Sequence, residues 1–117
     1  MIKILFESVF VGLYSISIFS LLLNIGVNPH YILFLTGFIK HLFGYLLGLQ
    51  DAFCGCSIHY PFLSLIRDCT LEGILFLIFL QGSSIFTKFL FGFSLHIISE
   101  YLGIHKYFCK SYCLRIV

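Results

Sequence analysis

Apolar residues crowd four stretches of the chain, with polar and turn-forming residues between them. The first covers about residues 4–26 and carries no charge after Glu7. Val27-Asn28-Pro29-His30 ends it, because Pro29 has no N–H to continue a helix. The second covers about 31–50. Both are near the roughly 20 helical residues that cross a bilayer. A mixed connector follows, and then an apolar run over 71–80 that Gln81-Gly82-Ser83-Ser84 interrupts. That run is too short to span alone. It suffices if its helix starts near Pro61, giving a third span over about 61–81, with Arg67, Asp68 and Glu72 near the interface and Arg67 snorkelling. The fourth covers about 85–104. A single helix over 71–104 would be about 51 Å long and would put Lys88 in mid-membrane. The pattern predicts four spans in two hairpins.

Composition agrees. Of 117 residues, 60% are hydrophobic, 19% aromatic and only 10% charged. Mean hydropathy is +1.06. A soluble domain this small needs a more polar surface, so the class is an all-α integral membrane protein in one domain. Lys3 ahead of the first apolar run suggests a signal peptide. Its length, Glu7 at its start and the lack of an A-x-A site predict a retained span instead. The net charge of +2, with no basic run, gives no footing for nucleic acid. The partner the composition implies is the lipid bilayer.

One stretch occurs twice. Residues 34–54 and 89–109 align without a gap at an offset of 55 and are identical at 9 of 21 positions. Gly37/Gly92, His41/His96, Gly48/Gly103 and Cys54/Cys109 are among the identities. This reads as a duplicated hairpin, repeat A over 4–56 and repeat B over 61–113, both heading the same way through the membrane. The first helices of the two hairpins show no match at that offset. In this topology Lys3, Arg67, Lys106, Lys110 and Arg115 share one side, so both termini and the cysteines are expected to be cytoplasmic.

Gly37, His41, Gly44 and Gly48 fall within about 60° of one helical face. Gly92, His96, Ser99 and Gly103 do the same in the second copy. Strips of small residues let helices pack backbone to backbone, within the chain or between copies in a homo-oligomer. Gly12, Ser15, Ser17 and Ser20 offer the first helix a similar approach. His41 and His96 then lie at equal depth. Three readings stand: imidazoles bonded to Ser15, Ser17 or a carbonyl; a bis-histidine haem between the hairpins; or a proton or ion path through His41, His96 and Glu100.

Lys40 lies mid-span with no acidic residue obviously at its depth, which points to a cavity or a partner's carboxylate. Glu72 is expected across from Glu100, the pair reaching headgroup water or sharing a proton or cation. Asp51 and Lys106 occupy matching positions beyond the two spans, where an ion pair is expected. Cys54, Cys56, Cys69, Cys109 and Cys113 gather on one face. They read as free or palmitoylatable thiols, as a disulfide such as Cys54–Cys109, or as zinc ligands without the usual C-x2-C spacing. No Ser-His-Asp, Cys-His, P-loop or H-E-x-x-H arrangement is present, so neither enzyme activity nor a cofactor is assigned.

The repeated unit, FLTGFIKHLFGYLLG…FC and FLFGFSLHIISEYLGIHKYFCKSYC, resembles small multi-span membrane proteins of giant and other large nucleocytoplasmic DNA viruses. In these a hairpin ends in a pattern like F-L-x-G-x-x-x-H-x-x-x-E-x-x-G-x-x-K-x-Y-C. Gly92, His96, Glu100, Gly103, Lys106 and Cys109 match it, with Phe108 at its Tyr. The first copy keeps Gly37, His41, Gly48 and Cys54 but has Tyr45 and Asp51 in place of Glu and Lys. The resemblance implies a viral or virus-remodelled membrane, where cytoplasmic-side cysteines can be oxidised. It brings no activity. The resulting expectation is a structural or scaffolding membrane protein, with an ion-, proton- or cofactor-handling one as the alternative.

Overall fold

The structure is a computed structural model that describes residues 2–116. Helix α1 spans Ile2–Asn24, α2 Ile32–Leu46, α3 Leu49–Cys54, α4 Phe62–Phe79, α5 Ile85–Leu102 and α6 Ile104–Tyr112. Two short strands, β1 (Cys56–Ile58) and β2 (Cys113–Ile116), pair antiparallel. The chain is thus helical, as its pattern predicts. The ladder and the tail helix α6 are additions to that expectation.

Local chemistry sets the boundaries. Gly26 leaves α1 at φ +85°, and Asn28 Oδ1 accepts from the His30 N–H at 2.9 Å to shape the turn. Pro61 opens α4, where its missing N–H costs nothing. Ser84 caps α5 by accepting from the Thr87 N–H at 3.2 Å. The second and fourth apolar stretches end earlier than expected. Gly48 and Gly103, both at φ +78°, take the left-handed conformation that ends a helix, and the chain turns there into α3 and α6.

Helix α1 packs against α5 and α2 against α4, with α1 beside α2. Both main pairs are antiparallel, since Gly12 meets Phe89 while Glu7 meets His96, and Phe34 meets Gly73 while Tyr45 meets Tyr60. Four glycines set how closely they approach. A Cβ on Gly37 would sit 2.5 Å from the Glu72 carbonyl oxygen, and one on Gly73 2.7 Å from the Phe34 carbonyl oxygen. A Cβ on Gly92 would sit 2.7 Å from Ser15 Oγ, and one on Gly12 2.8 Å from the Phe89 ring. Of the small residues expected to pack, Gly37 and Gly92 do so, with Gly12 and Ser15 facing them. Gly44, Gly48 and Gly103 do not: a Cβ on any of them would meet nothing within 4 Å. Ser17 and Ser20 are exposed.

The bundle is layered along its length. At the turn end Ile18, Leu22, Ile32, Leu33, Phe76 and Leu80 form an apolar core. At the other end Cys56, Ile58, Tyr60, Leu65 and Cys69 form a second, with Phe108 and Tyr112 packed on it. Large apolar side chains cover much of the outside, and several polar ones lie inside. Phe6, Leu63, Ile78, Phe79 and Phe86 are more than 60% exposed, whereas Ser8, Ser15, Thr36, Lys40, Lys88 and His96 are buried. Among the described helices α1 alone is long and apolar enough to cross a membrane by length and composition. The charges inside α4 and α5 dilute their apolar character.

Candidate functional site: a chamber lined by ionisable side chains

Between the two cores lies a cavity of about 270 Å³. Tyr14 on α1, Lys40 and His41 on α2, Glu72 on α4, His96 on α5 and His105 on α6 line it. Gly44 and Ser99, from the two small-residue strips, open space in its wall. The equivalent histidines of the repeated stretch therefore share one chamber, each in a different ionic setting.

On one side, Lys40 Nζ meets Glu72 Oε1 at 2.7 Å. Both side chains are nearly buried, at 10% and 15% exposure. Burying two charges is tolerable only when each compensates the other. The other Glu72 oxygen lies 3.5 Å from His41 Nδ1. His41 Nε2 is 3.2 Å from the Tyr60 hydroxyl, which donates to Asp68 Oδ2. Asp68 Oδ1 accepts from Arg67 Nε at 2.9 Å, on a side chain 60% exposed. Hydrogen bonds thus link His41 through Tyr60 and Asp68 to the surface, while Glu72 Oε2 approaches His41 but is buried without a hydrogen-bond partner. Burial first, and then the hydrogen bond to Asp68, push the Tyr60 hydroxyl far above the usual phenol range. Tyr60 therefore stays protonated. With that proton given to Asp68, His41 Nε2 must be the donor towards Tyr60.

On the other side, His96 Nε2 lies 3.2 Å from Glu7 Oε1 and 3.8 Å from Glu100 Oε1. His105 Nε2 approaches the same Glu100 oxygen at 3.6 Å.

Several expectations are corrected here. Lys40 has its carboxylate within the chain, because α2 pairs with α4. Glu72 does not face Glu100; each serves a different imidazole. The histidines do not bond to serines, since Ser15 and Ser17 donate to their own helix carbonyls at 2.8 Å. Asp51 accepts from the Ile58 N–H at 3.0 Å and makes no ion pair with Lys106 among the described residues. The bis-histidine arrangement needs two imidazoles presenting a nitrogen across one gap. Instead, His41 turns Nε2 to Tyr60 and His96 turns Nε2 to Glu7.

Two disulfides tie together the end of the bundle that carries α3 and α6. Cys54–Cys109 joins α3 to α6, and Cys56–Cys113 joins the two strands, with Cα–Cα distances of 5.4 and 5.8 Å. Their sulfurs are spent as thiols and as a four-thiolate zinc site. Cys69 is the free cysteine, and it is buried.

Glu7, Tyr60, Asp68 and His105 were not singled out for the site from sequence. A signal existed for two of them. Glu7-Ser8-x3-Gly12 and Asp68-Cys69-x3-Gly73 match at an offset of 61, and both glycines receive the equivalent phenylalanines Phe89 and Phe34. Gly12 and Phe34 are six residues further apart along the chain than Gly73 and Phe89, and that hides the match at 55.

No family model, curated protein or solved structure matches the chain.

Proposed function

We propose that the chain is a four-span membrane protein, two tandem hairpins of one duplicated unit, that handles protons at the chamber between them. The observation that carries this reading is the chamber itself, in which ionisable groups are buried inside a bundle with an apolar exterior. Ionisable side chains inside a membrane bundle are costly and mark ion or proton routes. A protein that only packs helices has no need of them.

His41, Tyr60 and Asp68 provide the hydrogen-bonded steps of a relay to the rim, with Glu72, 3.5 Å from His41 Nδ1, as its inner end. Lys40 holds Glu72 in place by its charge. The reciprocal pairing of α1 with α5 and of α2 with α4 supports the duplication, since each hairpin lends its first helix to the other's second. The expected structural reading is supported in one part: Gly12, Gly37, Gly73 and Gly92 pack within the chain, which leaves those faces closed to a partner. Resemblance to the viral proteins would set this bundle in a viral membrane.

Protein reconstituted in liposomes containing a pH-sensitive dye is expected to collapse an imposed pH gradient faster than empty liposomes do. Glu72→Gln and His41→Phe should return the rate to that of empty liposomes. A wild-type rate no faster than the protein-free control would overturn the reading.

A further inference from the structure

The two ionic clusters that meet at the chamber through His41 and His96 neutralise their carboxylates differently. In one, Lys40 answers Glu72 directly. At the position matching Lys40, α5 has Leu95. There two carboxylates from different helices, Glu7 and Glu100, converge on the single nitrogen His96 Nε2. These side chains are only 12%, 21% and 8% exposed. The nearest paired cation is Lys3, 3.9 Å from the other Glu7 oxygen and 74% exposed. Two partly buried carboxylates thus face His96, the His105 ring and an exposed lysine, with no buried lysine or arginine among the described residues paired to them, and a dication between His96 and the two carboxylates would balance them directly.

The two separations from the imidazole nitrogen are close to what such an ion needs. Metal bonds of about 2.0–2.2 Å in a tetrahedral site set neighbouring ligand atoms roughly 3.3–3.6 Å apart. Here the imidazole nitrogen is 3.2 and 3.8 Å from the two carboxylate oxygens, and all three atoms lie within 4.8 Å of one another. His105 Nε2, 3.6 Å from the same Glu100 oxygen, stands where a neighbour would orient a ligating carboxylate. A second, open cavity lined by Lys3, Glu7, Glu100, His105 and Lys106 gives a way in from outside.

We propose that Glu7, His96 and Glu100 bind one divalent transition-metal ion, zinc by preference, with His105 as a positioning residue for Glu100. One nitrogen and two oxygens suit zinc and leave a coordination position for water or a small ligand. Each carboxylate ligates as its anion and the imidazole as the neutral ring, so binding releases whatever proton they shared.

The inference rests on the ion-handling reading of the chamber but is tested without any flux. Purified protein, stripped with a chelator in detergent and dialysed against Zn²⁺, should retain one zinc per chain. Cobalt in its place should show the visible bands of a tetrahedral centre. Glu100→Gln and His96→Ala should lose the ion, His105→Ala should weaken it about 10–100-fold, and His41→Ala should keep it. Glu100→Gln preserves shape, so it carries the test if His96→Ala fails to fold. Wild-type protein without stoichiometric zinc, or a folded Glu100→Gln that keeps it, would overturn the proposal. Zinc retained by a protein that moves no protons would sustain the metal site and remove the relay.

Discussion

Breaking both disulfides is expected to destabilise the chain by about 6 kcal/mol, whereas breaking either one alone costs about 2 kcal/mol. The asymmetry comes from loop lengths. Cys54–Cys109 bridges residues 55 apart and Cys56–Cys113 residues 57 apart. Either bridge alone closes nearly the same long loop, for which the chain-entropy account gives about 4 kcal/mol. With one in place, the other adds only a ring of roughly six residues, about 2 kcal/mol in the same account. Denaturation of Cys→Ser variants in detergent, followed by far-UV circular dichroism, measures this. Losses that simply add would show that the bridges restrain different parts of the chain.

The buried ion pair is expected to give the second large effect. Glu72→Ala leaves Lys40 charged and unpaired in the chamber wall, at a cost of about 3–5 kcal/mol. Replacing both partners, as Lys40→Met with Glu72→Leu, should recover most of that loss, because an apolar pair pays no desolvation. Proton movement should not recover with it, since the relay's inner end would be gone. Stability and flux would therefore part company in the double variant. A double variant as unstable as Glu72→Ala would mean that packing around Glu72, not its charge, sets the cost.

How far the sequence carried depends on whether a signal is local. The positions of α1, α2, α4 and α5 follow from hydropathy, Pro29, Pro61 and the Gln81–Ser84 break, all read within a few residues. The close packing of Gly37 and Gly92 was legible because it repeats. Helix α6 was not, because its residues over 104–112 are mixed and carry no apolar run. Gly48 and Gly103 looked like packing residues because they share a face with Gly37 and Gly92. Their positive φ is a property of the turn that follows, and helical periodicity does not see it.

The chamber's chemistry was the least legible part. Lys40 and Glu72 are 32 residues apart, and His96 and Glu7 are 89 apart. Such pairs follow from which helices adjoin, and the hydrophobic pattern leaves that open. The disulfide partners lay on the same side in the sequence reading. The choice between free thiols, disulfides and metal turned on distances that only the fold supplies.

Everything proposed for the chamber requires that four helices cross the bilayer with the two turns at one end. Single cysteines placed at His30, Gln81 and Lys110, all exposed, report this in sealed vesicles with the two disulfides kept. A membrane-impermeant maleimide is expected to reach His30→Cys and Gln81→Cys from the same side of the membrane, and Lys110→Cys only from the other. If Gln81→Cys and Lys110→Cys react from the same side, the second hairpin does not span, and the chamber is not a membrane site.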